Sequence, residues 1–528
     1  MRRAPATDVL AGLTVAIVAL PLALAFGEAS GLGAQAGIVT AVIAGAIAAF
    51  FGGSNLQVSG PTGAMTVVLL PVVHQFGVGG VLQVGVMAGV ILIVLAISGI
   101  GRYVRYLPSS LIEGFTAGIA VVIAMQQVPN MLGLHAGDQE HVWAIAGDAI
   151  MTWIANPDFV PLLIALSVAA AILIGARWKP GWPLSLAAVV VATAVAQLAG
   201  LGLPVVGALP DLIPSPSIAF FDVAAITALL PSALAIAALA ALESLLCATV
   251  ADAMIVGERH NPDRELFGQG LANLVVPLFG GVPATAAIAR TAVNVRAGAQ
   301  SRLASITHAV VLIAFVMVAS PLVGGVPLAA LAGVLLATTI QMVEVSAIGA
   351  IVSSGKSDAA VLLITFVVTV AIDLVAAVAL GLGLAGLLAL RAVARSAQLE
   401  RETLDHADFT AEQQELLSER IVAFRFDGAL FFGAAHRFLL ELSEVTNVSV
   451  VILRMSRVST IDATGALMLD DAISRLEKRG IVVLLSGINP GHERVLEKVG
   501  SAGRLRELGR VFADTPDAIR EARLHVTG

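Results

Sequence analysis

With 528 residues, 58% of them hydrophobic and 13% charged, and a mean hydropathy of +0.93, the chain is far too apolar for an ordinary soluble protein. Its formal net charge of −7 comes from 30 Lys/Arg against 37 Asp/Glu, which excludes the strongly basic surface that nucleic-acid binding needs. One cysteine, Cys247, excludes an internal disulfide.

Charge divides the chain in two. Residues 1–396 hold 14 Lys/Arg and 17 Asp/Glu, so 31 charged positions in 396; residues 397–528 hold the other 16 and 20, so 36 in 132. The first part is the composition of a polytopic membrane domain, the second that of a soluble domain. Met1-Arg2-Arg3 leads into a first span rather than a cleavable signal peptide. Apolar segments lie near 9–27, 33–51, 60–75, 79–100, 108–128, 159–176, 182–200, 226–256, 265–280, 283–296, 303–320, 326–344, 358–376 and 378–394, about fourteen in all.

Placing the amino terminus inside sends Arg102, Arg105, Arg177, Lys179, Arg259, Arg264, Arg296, Arg302, Lys356, Arg391 and Arg395 to inner boundaries. The opposite face then receives Asp138, Glu140, Asp148, Asp158, Asp211 and Asp222, with no Lys or Arg. Before position 397 only Arg290 breaks this pattern. Positive residues stay inside, so both termini are expected in the cytoplasm, with the chain in the inner (plasma) membrane.

Fourteen spans divide as seven plus seven at the loop near 201–225, into repeats of about 8–200 and 226–396. An odd number of spans per repeat inverts the second copy. The third and tenth segments occupy equivalent places, and each is interrupted: Phe51-Gly52-Gly53 then Gly60-Pro61-Thr62-Gly63-Ala64, and Phe279-Gly280-Gly281 then Pro283-Ala284-Thr285-Ala286. From Pro283 to Arg296 is roughly 14 residues, about 21 Å of helix, short of the ~30 Å apolar core. Both are expected to be half-helices whose amino ends meet near the midplane, Pro283 in the first turn. Two converging positive dipole ends suit an anion, held by Thr62, Gly63 and Ala64 on one side and Thr285, Ala286 and Ala287 on the other. The alternative is that Gly and Pro are merely common in membrane helices.

Glu243 lies inside the eighth segment, where a charged residue costs about 2.5–3.5 kcal/mol unless it is neutralised or faces a polar cavity. A carboxyl taken out of water exchanges its proton closer to neutrality, so Glu243 is a candidate coupling residue; a fixed hydrogen-bonded network is its other reading. Glu28, late in the first span where Gly27 and Gly31 suggest a break, is either a second carrier or an outward end residue. Arg290, seven residues and about 10 Å beyond Pro283, either sets the positive field for substrate or pairs with Glu243 or another carboxylate. Gln269 and Asn273, one turn apart, suit interhelical polar contacts. Glu113, Asp252 and Asp373 sit near span ends, and His74 and His308 are isolated, with no metal-ligand spacing. No P-loop and no nucleophile–base arrangement stands out, so the chain is expected not to be an enzyme and to need no cofactor or metal.

In the tail, residues 397–419 form a polar linker, expected to be partly helical, and 420–528 an α/β domain. Strands are expected at 421–426, 429–432, 448–455 and 481–486, with helices at 434–445 and from Asp462 onward.

Four runs carry a family resemblance: Leu20-Pro21-Leu22-Ala23-Leu24-Ala25-Phe26-Gly27-Glu28-Ala29-Ser30-Gly31, Val58-Ser59-Gly60-Pro61-Thr62-Gly63-Ala64, Glu265 to Asn273, and Gly281 to Asn294. Together they resemble the SulP (sulfate permease) anion transporters, and the tail resembles the STAS domain those transporters carry. The resemblance implies a uracil/xanthine-permease-like core of spans 1–4 and 8–11 moving against a gate of spans 5–7 and 12–14. It also implies oxyanion, bicarbonate, halide or dicarboxylate substrates. Sodium-coupled bicarbonate members carry Asp with Thr one turn later, where this chain has Glu243 and Cys247; a thiol suits sodium poorly, so the expected co-substrate is the proton. In the STAS loop, Val458 to Gly465, the usual phosphate-accepting serine is replaced by Ala463. Asp462 and Thr464 are expected to cap the following helix, with Thr464 the alternative acceptor and regulatory position. A small-anion symporter, embedded in lipid and homodimeric, with a tail that helps homodimerisation or intracellular trafficking and regulation, is the expectation; an anion channel or a regulatory scaffold signalling through the STAS domain is the alternative.

Overall fold

The computed structural model describes residues 5–106, 108–135, 137, 139, 141–178, 184–207, 214–255, 259–372, 374–396, 398–402, 420–431, 448–499 and 501–527. Asp138, Glu140, Lys179, Asp211, Asp373, residues 403–419 of the linker and the expected helix at 434–445 lie outside them. The chain forms two compact units, residues 1–382 and 383–528.

The first unit is helical. Its first half holds α1 (Pro5–Ala29), α2 (Ala34–Phe51), a two-residue strand β1 (Ser59–Gly60), α3 (Gly63–Ile97), α4 (Ser109–Met131), α5 (Val142–Ala155), α6 (Phe159–Trp178) and α7 (Leu184–Leu198). The second holds α8 (Ile226–Met254), α9 (Pro262–Val275), β2 (Thr285–Ala286), α10 (Ile288–Arg296), α11 (Leu303–Gly324), α12 (Leu328–Met342), α13 (Val345–Ser354), α14 (Lys356–Ala371) and α15 (Leu374–Ser396), the last reaching into the second unit. Among the described residues, eight helices are long and apolar enough to cross a membrane. Leu163, Leu198, Val318 and Leu322 stay largely exposed, which suits a lipid-facing surface and not an aqueous one.

Each apolar segment of the sequence coincides with a helix. The third and fourth share α3, which bends at Gly77, whose φ of 67 only glycine adopts without strain. Two helices were not expected, α5 and α13. Both are too short to span, and they fall at matching places, after α4 in one half and after α12 in the other. Of the break expected at Gly27 and Gly31, α1 runs unbroken past Gly27, which packs against the Gly37 backbone with a Cβ position 2.7 Å from the Gly37 nitrogen, and ends at Ala29 ahead of Gly31, whose φ is 80.

The second unit is a five-stranded sheet in the order β3 (Gln398–Glu402), β4 (Ile421–Leu430), β5 (Val450–Ile461), β6 (Val482–Ser486) and β7 (Val511–Phe512). β3 is antiparallel to β4, and the other pairings are parallel. The helices are α16 (Ala463–Lys478), α17 (Pro490–Val499), α18 (Ser501–Glu507) and α19 (Thr515–Thr527). Alternate residues bury both sheet faces: Val451, Leu453, Val483 and Leu485 pack with Leu469, Ile473 and Leu476 of α16. Val450, Ile452 and Leu484 pack with Ala518 and Ala522 of α19.

Two expectations fail in this unit. Residues 398–402, assigned to the linker, are a strand of the sheet, paired residue by residue with β4; the expectation of a partly helical linker otherwise falls on 403–419, outside the described residues. The two strands expected at 421–426 and 429–432 are one strand, with register shifts around Gly428 (φ 98), so a bulge looked like a turn.

Candidate functional site

The two interrupted stretches meet as strands. Ser59 opposes Ala286 and Gly60 opposes Thr285 in an antiparallel pair linking the two halves of the first unit. Pro61 and Pro283 cannot donate to a ladder and bias the residue before them to extended backbone, so each stretch is extended before it is helical. This corrects the sequence reading. Pro283 is not in a helix turn; α10 starts five residues later and has nine residues, not fourteen.

The correction redistributes the N–H groups. The Ala287 N–H donates to the Val58 carbonyl (3.0 Å), the Ala286 N–H to Ser244 Oγ (3.3 Å) and the Ala284 N–H to Asn273 Oδ1 (2.8 Å). Ala286 and Ala287 therefore face a partner already, and the first-turn donors of α10 with no acceptor among the described residues are those of Ile288, Ala289 and Arg290. On the other side Thr62 stands at the N-cap of α3 in extended conformation with no side-chain cap. The N–H groups of Gly63, Ala64 and Met65 find no acceptor among the described residues, as at any uncapped helix start.

Charged side chains frame the same dipeptide from two sides. Thr62 Oγ1 donates to Glu243 Oε2 (3.0 Å), and Arg290 Nη2 donates to the Pro61 carbonyl (2.6 Å). Arg290 lies three residues after Ala287, beside the strand crossing, rather than 10 Å along a longer helix. It is only 1% exposed and forms no ion pair within 4.0 Å among the described residues, so the expected pairing with Glu243 is not a direct contact. Glu243, half-buried on α8, is the carboxylate brought to the α3 amino end.

Buried polar residues hold the crossing in place. Asn273 donates to the Ala284 carbonyl (2.8 Å) while accepting from its N–H; Gln269 donates to Ser59 Oγ (2.7 Å). These are the interhelical contacts expected of the pair. Ser244 Oγ and Thr285 Oγ1 share a hydrogen bond of 2.9 Å. The Cys247 thiol, fully buried, donates to Thr291 Oγ1 (3.1 Å).

Sequence reasoning missed three site residues. Ser244 was passed over beside Glu243. Phe26 and Ile123 lie against Gly63: a Cβ there would be driven into Ile123 Cδ1 and lie 3.1 Å from Phe26 Cε1. Phe26 stood inside a quoted motif, whereas Ile123, in the middle of α4, carried no signal.

Other candidates fall elsewhere. Glu28 Oε1 accepts the Ala34 N–H (2.8 Å), tying the end of α1 to the start of α2. Asp252 pairs with His260 (2.7 Å). Asp462 caps α16 by accepting the Gly465 N–H (2.7 Å), and Thr464 is exposed on the first turn of that helix.

Known families match both parts of the chain. The model of the Sulfate permease family matches residues 6–365 and that of the STAS domain residues 415–518. YvdB of Bacillus subtilis (strain 168) is 33% identical over 507 residues, covering 93% of each chain. The bicarbonate transporter BicA of Synechocystis sp. is 29% identical over 534 residues, covering 98% of this chain and 94% of its own. Among solved structures, the murine Solute Carrier 26 family member A9 anion transporter in its inward-facing state matches with a TM-score of 0.85. That match covers 99% of this chain and 92% of the other at 18% identity, a likeness of fold alone.

Proposed function

The chain belongs to the sulfate permease family, is a multi-pass membrane protein and carries a STAS domain; on that premise we propose that it is a secondary-active carrier of small anions, binding its substrate between the amino ends of α3 and α10. The observation that carries this reading is the strand crossing of Ser59–Gly60 with Thr285–Ala286, which joins two stretches that each lead into an uncapped helix, with Arg290 bonded to the Pro61 carbonyl beside it. Unsatisfied N–H groups and aligned peptide dipoles attract negative charge generally, so dicarboxylate, sulfate and bicarbonate all suit it. Thr62, Gly63 and Ala64 contribute one wall. Thr285, Ala286 and Ala287 contribute the strand that orients the other.

Coupling to protons follows from charge. An anion entering beside an ionised Glu243 meets repulsion that is strong away from water, and a proton on Glu243 removes it. Anion and proton then cross together, the core of α1–α3 and α8–α11 shifting against the remaining helices as an elevator. Glu28, tied to the Ala34 N–H, is the secondary coupling candidate. The termini are cytoplasmic and the working unit is a homodimer in this reading.

A second reading, a sodium-coupled bicarbonate carrier, draws on the likeness to BicA. The Cys247 thiol weighs against it, being buried and engaged with Thr291. The test is uptake of labelled sulfate, bicarbonate and fumarate into proteoliposomes under imposed proton or sodium gradients. An inward proton gradient should accelerate uptake of the transported anion several-fold, and Glu243→Gln should remove that acceleration. Uptake that ignores the proton gradient and survives Glu243→Gln sinks proton coupling. Acceleration by sodium alone supports the second reading, and conductance far above carrier rates makes the protein a channel.

A further inference from the structure

Arg290 and His308 are the two largest charged or titratable side chains among the fully buried residues, 1% and 0% exposed. Arg290 Nη2 is occupied by the Pro61 carbonyl, but among the described residues Nη1 has no hydrogen-bond partner, and neither has either ring nitrogen of His308. A buried polar atom without a partner costs about 1–3 kcal/mol, more beside a charge, so three such atoms in one region require an explanation.

The glycines of this region locate the two groups on one seam. A Cβ on Gly60 would lie 2.5 Å from Arg290 Nη1 and 3.3 Å from Ala41 Cα; a Cβ on Gly45 would lie 3.5 Å from both His308 Nδ1 and the Ser59 carbonyl. Ala41 and Gly45 are one turn apart on α2, and Ser59 and Gly60 are consecutive in β1. The guanidinium and the imidazole therefore lie along one seam between α2 and β1, beside residues one turn apart on α2 and consecutive in β1. A single water can join two polar atoms on such a seam by hydrogen bonds of about 2.9 Å each.

We propose that one internal water joins Arg290 Nη1 to His308 Nδ1, with the Ser59 carbonyl as its third partner, and that His308 is thereby a positioning residue for the guanidinium at the anion site. The water accepts from Nη1 and donates to Nδ1 and to the carbonyl, the three bonds typical of a buried water. Water fits better than a second anion, because a carbonyl oxygen and an imidazole acceptor line the same spot. The consequence is a guanidinium fixed at both ends, one on Pro61 at the start of α3 and the other on α11. The functional part rests on the reading that Arg290 supports anion binding.

The experiment combines half-saturation measurements for labelled sulfate and bicarbonate with a high-resolution structure of the full chain in lipid nanodiscs. His308→Phe should raise KM about tenfold, the loss of one hydrogen bond to a charged group, with maximal rate little changed. His308→Asn, which keeps a polar atom near the Nδ1 position, should stay within about twofold of the parent. In an Arg290→Ala background His308→Phe should add nothing, since its effect runs through the guanidinium. Density for a water within hydrogen-bond distance of Arg290 Nη1 and His308 Nδ1 is expected. A tolerated Phe with a damaging Asn, additive effects in the double variant, or ring nitrogens bonded directly to protein would each overturn the positioning role. Should Arg290→Ala leave KM unchanged, the reading of Arg290 at the anion site fails instead, and the density alone decides whether the water bridge exists.

Discussion

At Gly63 the packing leaves no room for a side chain. It follows the uncapped Thr62, so its N–H is one of the donors of the proposed anion site, and a Cβ on it would meet Ile123 of α4 and Phe26 of α1. A methyl group there displaces Ile123, which is 0% exposed and has little room to retreat. Overpacking of this kind costs about 1–3 kcal/mol, enough to close a site without unfolding a large protein. Gly63→Ala is expected to cut uptake more than tenfold while the protein still reaches the membrane, and Ile123→Ala added to it should restore part of the rate. Failure of the double variant to recover would show that Gly63 matters through its backbone and not through space. Larger substitutions at Ala64 and Ala286, each 1% exposed, should likewise block uptake with expression intact; normal kinetics there would count against the site.

Among elements, the strand crossing shows what could be read in the sequence and what could not. Paired Gly/Pro interruptions in two halves announced that the stretches correspond, and Pro61 and Pro283 do lie on facing segments. Local propensity could not show that Thr285 and Ala286 spend their length in a strand, because the partner, Ser59–Gly60, lies more than 200 residues away. The same holds for Arg290, whose partner is the Pro61 carbonyl across that distance. α5 and α13 were missed for a plainer reason, being too short for a search tuned to spans. Asn273 is the element's pin, since one side chain satisfies both the N–H and the carbonyl of Ala284. Asn273→Ala strands two buried backbone groups at about 1–3 kcal/mol each. A thermal-unfolding midpoint lowered by several degrees in detergent is expected, together with weakened anion affinity. An unchanged midpoint would mean that water replaces the pin at little cost.

For the molecule as a whole, composition already separated an apolar part from a charged one, and each has its own core. Helix packing around α1, α3, α8 and α12 forms one, and the two faces of the β3–β7 sheet form the others. The anion site proposed above draws every residue from the first unit, and the hydrogen bonds that frame it among the described residues lie within that unit. Truncation after Ser396 keeps α15 entire and removes only the sheet and its helices. Uptake per folded protein is expected to stay within about threefold of the full chain, less than the tenfold that losing one strong site interaction brings, while the dimer fraction falls on size exclusion with light scattering. A truncated protein that folds, stays dimeric and no longer transports would mean that the tail acts on the moving core itself, and would make the STAS domain part of the transport cycle rather than of assembly.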